Sequence, residues 1–377
     1  MFTKPFYRLN DTIHIVCLDA PSPPDYGGVF DLYYKIPALA ALGKKIILHY
    51  FQYKEGRNAK SLEKYCSAIY SYPRSSFLKA FLKRQSYIVY SRINQQLINR
   101  LNGDNHPVLL EGIHCTGVIP FLRKNKKIII RIHNNEAIYY RHLADTEQSI
   151  LKRWYFKYES QRLEQYQHKL PKEATYLFVS QKDQSEFEAT YDLKKTSFLP
   201  CFLPWLTVNS SFGKGDYCIY HGNLSVPENK KAAEWLMNEV FTKIDNKLII
   251  AGKGGATLES KNLPQNIRII DSPTDDQLND LLHQAHIHLA PSFNATGVKL
   301  KLLHALFEGR FCITNRQSVE GSGIEQSVFI ADTALKTIDL IQELTQKEFT
   351  KERKHEREKA LILYSNTINA EKLNSLL

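Results

Sequence analysis

The chain has 377 residues, 43% of them hydrophobic and 24% charged, with 50 Lys and Arg against 39 Asp and Glu for a formal net charge of +11. That length carries two ordinary domains with their own cores, and that composition excludes a disordered or fibrous chain. No apolar run reaches the roughly 18 residues of a membrane-spanning helix, and the opening residues lack the apolar core of a signal peptide, so a cytoplasmic location is expected. The basic excess favours an anionic partner, drawn from nucleic acid, lipid headgroups or phosphorylated substrates. Six cysteines are scattered without a Cys-x-x-Cys pair, which argues against a zinc or disulfide scaffold.

Short β-rich runs alternate with helical stretches from end to end, the pattern of parallel sheets covered by helices on both faces. A first set of strands includes 12–18, 45–51, 108–111, 127–133 and 175–180; a second includes 217–221, 247–251, 266–270, 286–290 and 310–314. Between the sets, the prolines, serines and glycines of 199–215 interrupt both periodicities and mark an interdomain linker. The expected domains are 1–203 and 204–345.

In chain order, Gly27 and Gly28 come first, behind a strand and turn-forming prolines. A glycine pair can be a plain turn, but open α/β sheets bind ligands at strand C-terminal ends, so a ligand loop is the stronger reading here. At 74–84, Phe77, Leu78, Phe81 and Leu82 form an apolar stripe beside Lys79, Lys83 and Arg84. A half-buried surface helix and a helix lying on an anionic membrane both fit that stripe. His133 ends the apolar run 128–132, where it is either structural or faces a ligand.

The most informative stretch is 290–314. It reads as a strand end, a loop at Gly297, a helix closed by Gly309, and another strand. A loop glycine feeding a helix N-terminus aims unpaired N–H groups outward with the positive end of the dipole behind them. Lys299 and Lys301 in that first turn oppose the dipole, and a bound diphosphate would account for them; two surface lysines are the alternative. Lys301, His304 and Glu308 share one helical face, so Glu308 offers a lysine a partner. His283, His286 and His288 straddle a helix end and a strand, so their rings should diverge, and no Asp-x-Asp pair exists. No metal or other cofactor is expected.

The run from Pro291 to Arg310, with Gly297, Lys299, Lys301, Ala305 and Gly309, resembles the donor-site loop and helix of family-4-type glycosyltransferases, which have the two-domain GT-B fold. Four further segments agree in order: Asp19 to Val29, Arg131-Ile-His-Asn-Asn-Glu136, Tyr220 to Asn229, and Leu248 to Gly255. The resemblance implies an α/β protein of two Rossmann-like domains whose parallel sheets face a central cleft, with the tail 346–377 crossing back to complete the first domain.

By the same resemblance the activity is transfer of a sugar from a nucleotide-diphosphate donor to a hydroxyl of a glycan or lipid-linked acceptor, with retained configuration and without metal. It places His133, Gly28 and Lys299 at the reaction centre. Gly27, Gly222, Asn223, Lys253, Pro273, Thr296, Gly297, Val298, Lys301 and His304 fall on the donor side, and Tyr26, Asn134 and Glu136 on the acceptor side. Many relatives carry two glutamates where this chain has Thr296 and His304, and an Arg and Lys where it has Asn223 and Glu228 or Asn229, with Lys230, Lys231 and Lys253 nearby. A nucleotide-sugar epimerase and a non-catalytic partner subunit of the same fold are the rival readings. Nucleic-acid binding rests on charge alone, without a reading element.

Overall fold

The apolar runs become parallel strands buried on both faces, because right-handed crossovers lay helices over each side. In the computed structural model, which describes residues 11–52, 56–258, 263–293 and 297–377, the chain divides into two units. One is Met1–Pro204 with Tyr364–Leu377, the other Trp205–Leu363.

The first unit holds β1 (Thr12–Cys17), β2 (Lys45–Gln52), β3 (Cys66–Pro73), β4 (Val108–Glu111), β5 (Ile128–Ile132), β6 (Thr175–Phe178) and β7 (Lys195–Phe198), in the order 3-2-1-4-5-6-7. Alternate residues of β1 enter different cores. Ile13 and Ile15 pack with Leu32, Ile36 and Leu39 of helix Gly27–Ala41 and with Ala370 and Leu373 of the last helix; Val16 packs on the other face with Leu97, Leu110 and Leu163. Each such fully buried aliphatic side chain contributes about 1.5–3 kcal/mol.

The second unit holds β8 (Cys218–His221), β9 (Leu248–Gly252), β10 (Ile267–Asp271), β11 (Ile287–Leu289), β12 (Phe311–Thr314) and β13 (Phe329–Ile330), in the order 10-9-8-11-12-13. Tyr220 and Ile250 point to one core, Ile219, Ile249 and Ala251 to the other. Gly252 is the tightest point of this sheet: a Cβ there would lie 1.8 Å from the Gly222 carbonyl oxygen, so Gly252→Ala would force β8 and β9 apart.

Every strand pairing is parallel, and the order reverses direction once in each sheet, between β1 and β4 and between β8 and β11. Diverging crossovers open a crevice at the carboxyl ends of those strands. The loops after β1, β4, β8 and β11 are therefore where chemistry is expected.

The tail departs from the sequence expectation. Helix Lys351–Leu361 belongs to the second unit, where buried Arg357 donates to the carbonyls of Gly309 and Arg310; the return to the first unit begins at Tyr364. Buried carbonyls need donors, and Arg357 satisfies two at once, which holds this helix to the second unit. Among the described residues, no helix is long and apolar enough to cross a membrane.

Candidate functional site

At the β1/β4 switch point the first unit concentrates charge. Helix Gly27–Ala41 turns Asp31 and Lys35 inward, β4 ends in Glu111, β5 supplies Arg131, and His133 follows it. Lys35 Nζ donates to Asp31 Oδ2 (2.8 Å) and Glu111 Oε1 (2.6 Å). Arg131 donates through Nε and Nη2 to Asp31 (3.1 and 3.2 Å) and caps the carbonyls of Leu199 and Pro200. His133 Nε2 donates to Glu111 Oε2 (3.0 Å), with Nδ1 3.9 Å from Asp31.

Asp31, Lys35, Glu111 and Arg131 are all essentially inaccessible. Burial alone would push the two carboxyls up. Arg131 and Lys35 instead hold Asp31 far below the usual range, and Lys35 with His133 pulls Glu111 down. Two anions meet two cations, so the cluster is neutral within itself. Donor atoms of Asp31, Glu111 and His133 lie within 4.8 Å of one another, the spacing of a metal site. The Lys35 ammonium already bridges both carboxylates, so an added cation would meet a like charge.

Gly27 and Gly28 open the helix Gly27–Ala41 rather than forming the loop before it. A Cβ on Gly28 would lie 3.5 Å from Leu18 Cδ2 and 3.9 Å from His133 Cδ2, so the structure brings Gly28 and His133 together, while Gly27 faces open space. Tyr26 is committed to its own loop: its hydroxyl donates to Asp19 Oδ2 (3.1 Å), and Arg57 lies over its ring at 5.1 Å. Glu136 starts helix Glu136–Thr146 and is buried; burial raises its carboxyl to about 7, against the opposing hydrogen bond from Asn134. Arg92 beside it donates to the Leu18 and Ile88 carbonyls.

In the second unit, Gly222 and Asn223 follow β8 at its switch point with β11. Asn223 Oδ1 accepts from Ser225 N (3.1 Å), and Lys253, exposed after β9, gives its carbonyl to Leu224 N (2.7 Å). Gly297 adopts φ +67°, a left-handed conformation that suits glycine, and Val298 and Lys299 carry the chain to helix Leu300–Glu308. The helix thus starts after Gly297 by three residues, with Lys299 as its N-cap and Lys301 inside it. Thr296 lies outside the described residues.

Lys301 is the centre of this edge. Its Nζ donates to Tyr220 Oη (2.9 Å), Asn229 Oδ1 (3.1 Å) and Pro291 O (3.4 Å), and sits 4.6 Å above the Tyr220 ring. These partners are all neutral. Burial, then the neighbouring Lys299, lower its pKa to about 7 against the opposing charge of the Glu228 carboxylate. The expected Lys–Glu308 pairing does not form: Glu308 accepts from His283 Nε2 (2.8 Å) and Asn209 Nδ2 (3.2 Å), which lie nearer its end of the helix.

His304 stacks on Trp205 (4.4 Å between centroids, 17°) with His221 edge-on at 5.3 Å. The Nε2 atoms of both histidines are buried without a hydrogen-bond partner among the described residues, and burial holds both rings neutral, His304 at about 4. Pro273 lies in the turn between β10 and helix Asp275–Gln284. His283, His286 and His288 diverge, since His286 contacts the Leu344 carbonyl and His288 that of Leu282.

The sequence reading missed the quartet Asp31, Lys35, Glu111 and Arg131, as well as His221 and Trp205. Arg131 inside Ile-Ile-Ile-Arg-Ile and Glu111 closing Val-Leu-Leu-Glu were the available signals, since a charge in a strand buried on both faces requires a partner. Nothing local marks Trp205 as the platform for His304.

Two Rossmann-like units, each built on a parallel sheet with its polar residues at a switch point, define the GT-B class of fold. Within that class, residues 215–346 match the model of the family described as Glycosyl transferases group 1. An uncharacterized 44.6 kDa protein of the Klebsiella pneumoniae cps region is 28% identical over 351 residues, 86% of this chain and 88% of that protein. Among solved structures, S. aureus TarM, a mutant in complex with fondaparinux, alpha-GlcNAc-glycerol and UDP, aligns with TM-score 0.65 at 12% identity over 97% of this chain and 99% of its own. Anabaena HepE in complex with UDP-glucose aligns with TM-score 0.59 at 11% identity, over 97% and 96%. A glycosyltransferase from Rickettsia africae gives 0.62 at 13%, over 98% and 97%. At these identities the structures share the fold.

Proposed function

We propose that the protein is a glycosyltransferase that moves a sugar from a nucleotide-diphosphate donor to a hydroxyl of a glycan or lipid-linked acceptor. The observation that carries this reading is Lys301: a largely buried ammonium at the β8/β11 switch point, beside Lys299 at a helix start, whose hydrogen bonds go to neutral acceptors. Such a cation is costly to bury and gains from an incoming anion. The family match supports the reading, and UDP in the complexes of TarM and HepE supports a nucleoside diphosphate as the anion.

In this reading Lys301, Lys299 and the amides after Gly297 hold the diphosphate, His304 meets the ribose, Pro273 lines the base, and Gly222, Asn223 and Lys253 edge the donor site. Charge accumulates on the departing diphosphate as the glycosidic bond breaks, so fixed cations there stabilise the transition state more than the ground state. Gly27, Gly28, Tyr26, Asn134 and Glu136 line the acceptor side, with His133 toward the sugar. The leaving phosphate takes the acceptor proton, so retention proceeds without a metal or a dedicated protein base.

The test is turnover of a panel of nucleotide sugars by the purified protein, read as nucleoside diphosphate released with and without added glycans. Release that depends on one donor, and falls at least ten-fold in Lys301→Met, supports the transferase. Silence from a folded protein that still binds the donor would point to the non-catalytic partner instead.

A further inference from the structure

The first unit contains a cavity of about 600 Å3 that the transfer chemistry does not use. Val89, Ile93, Ile119, Phe121 and Leu170 give it an apolar wall, and Arg84, Arg162 and Lys169 give it basic groups. Sites for small ligands have this size and make-up. Arg162 is incompletely satisfied there: Nη1 donates to Gln165 Oε1 (3.0 Å), the guanidinium lies 5.0 Å over Tyr158, and Nε is buried without a hydrogen-bond partner among the described residues.

Beside the cavity lies an apolar face made by two elements. Helix Phe77–Leu82 packs on helix Ile150–Gln167 through Phe77 on Tyr155 (5.6 Å) and Phe81 on Trp154 and Tyr158 (6.2 and 5.4 Å). Their outer sides leave Leu78, Leu82, Ile150, Leu151 and Trp154 exposed, with Ile150 at 80% and Leu151 at 81%. A contiguous patch of large apolar side chains marks an interaction surface.

Charge selects the partner. Residues 74–87 and 150–163 carry eight basic side chains and one carboxylate, Glu159. That carboxylate is buried, accepting from Ser86 Oγ (2.7 Å), Tyr87 N (3.0 Å) and Ile88 N (2.9 Å). Within these two segments the face shows apolar side chains, an exposed Trp and cations without a surface carboxylate, while Glu147 stands just before the second helix with its carboxylate accepting from Ser149 N (2.9 Å). The excess of cations around an apolar face is the make-up of a segment seated at a membrane interface.

We propose that this face lies on an anionic bilayer and that the cavity receives the hydrocarbon chain of one of its anionic lipids, with the phosphate met by Arg84, Arg162 and Lys169. The inference stands apart from the transfer reading, since lipid binding is measured without any donor.

The test pairs two probes on the full chain. Vesicles of phosphatidylglycerol or phosphatidylcholine read the face by co-flotation. Hexadecyl phosphate, dodecyl phosphate and hexadecylphosphocholine read the cavity by titration. Flotation is expected on phosphatidylglycerol alone and falls at least ten-fold in Ile150→Ser/Leu151→Ser. Hexadecyl phosphate should bind this variant as it binds the parent chain, and more tightly than the dodecyl compound by up to about four-fold per buried methylene. Gln165→Trp, an exposed position at the cavity, should weaken hexadecyl phosphate at least ten-fold with an unchanged melting temperature. If Gln165→Trp melts early, Arg84→Glu/Lys169→Glu, both exposed, carries the same expectation. Equal flotation on both lipids, no vesicle binding beside capture of a protein partner, or amphiphile binding indifferent to headgroup and to every cavity variant would overturn the proposal.

Discussion

Two switch points, one in each sheet, place cations at strand ends and treat them in opposite ways. In the first unit Lys35 and Arg131 are answered by Asp31 and Glu111, every atom of the cluster is occupied, and the charges cancel. In the second, Lys301 hydrogen-bonds to neutral acceptors with the Glu228 carboxylate acting on it from nearby, and His221 and His304 each keep a buried ring nitrogen without a hydrogen-bond partner among the described residues. A closed cluster fixes a fold because breaking it strands a charge. A cation hydrogen-bonded to neutral groups weakens the fold slightly and leaves capacity for a ligand. The contrast separates structural charge from binding charge by the partners each cation has.

The largest effect should come from opening the closed cluster. Asp31→Asn removes the partner of both Arg131 and Lys35 and should cost about 3–5 kcal/mol in urea denaturation. A loss under 1 kcal/mol would mean the cluster is not the keystone described. Lys301→Met should do the reverse. Stability should hold or rise, while affinity for a nucleoside diphosphate falls roughly 10- to 100-fold, the worth of one or two charged hydrogen bonds.

Glu136 gives a pH signature. Its folded pKa of about 7 exceeds the unfolded value near 4.3, so the folded state binds the extra proton between them and stability falls as pH rises through that window. Glu136→Gln should flatten the slope, with a difference on the order of 1–3 kcal/mol between pH 4.5 and 7.5; parallel melting curves would remove the assignment. The smallest effect belongs to His304→Gln, which keeps a hydrogen-bonding group but loses the Trp205 stack. A few-fold rise in the donor KM is expected, with kcat nearly unchanged.

The architecture was legible because strands buried on both faces write themselves as apolar runs, as Ile128 to Ile132 and Leu248 to Ala251 do. The anion-facing loop was legible for a similar reason: Gly297 and two lysines at a helix start conflict with local preference, and such conflicts gather at functional sites. What stayed hidden depends on pairing across long separations. Asp31 and Arg131 lie a hundred residues apart, and Trp205 reaches His304 from another element. Helix Lys351–Leu361 was assigned to the first domain because its basic, polar sequence carries no mark of the single buried Arg357 that ties it to the second.

The most direct measurement is calorimetric titration of UDP into the parent chain and Lys301→Met at pH 6 and pH 8.5. The Lys301 ammonium is present below its pKa of about 7 and lost above it, so the parent chain should bind more tightly at pH 6 and the variant should show a much smaller pH difference. Equal affinities for the two proteins at both pH values would contradict the claim that Lys301 holds the diphosphate.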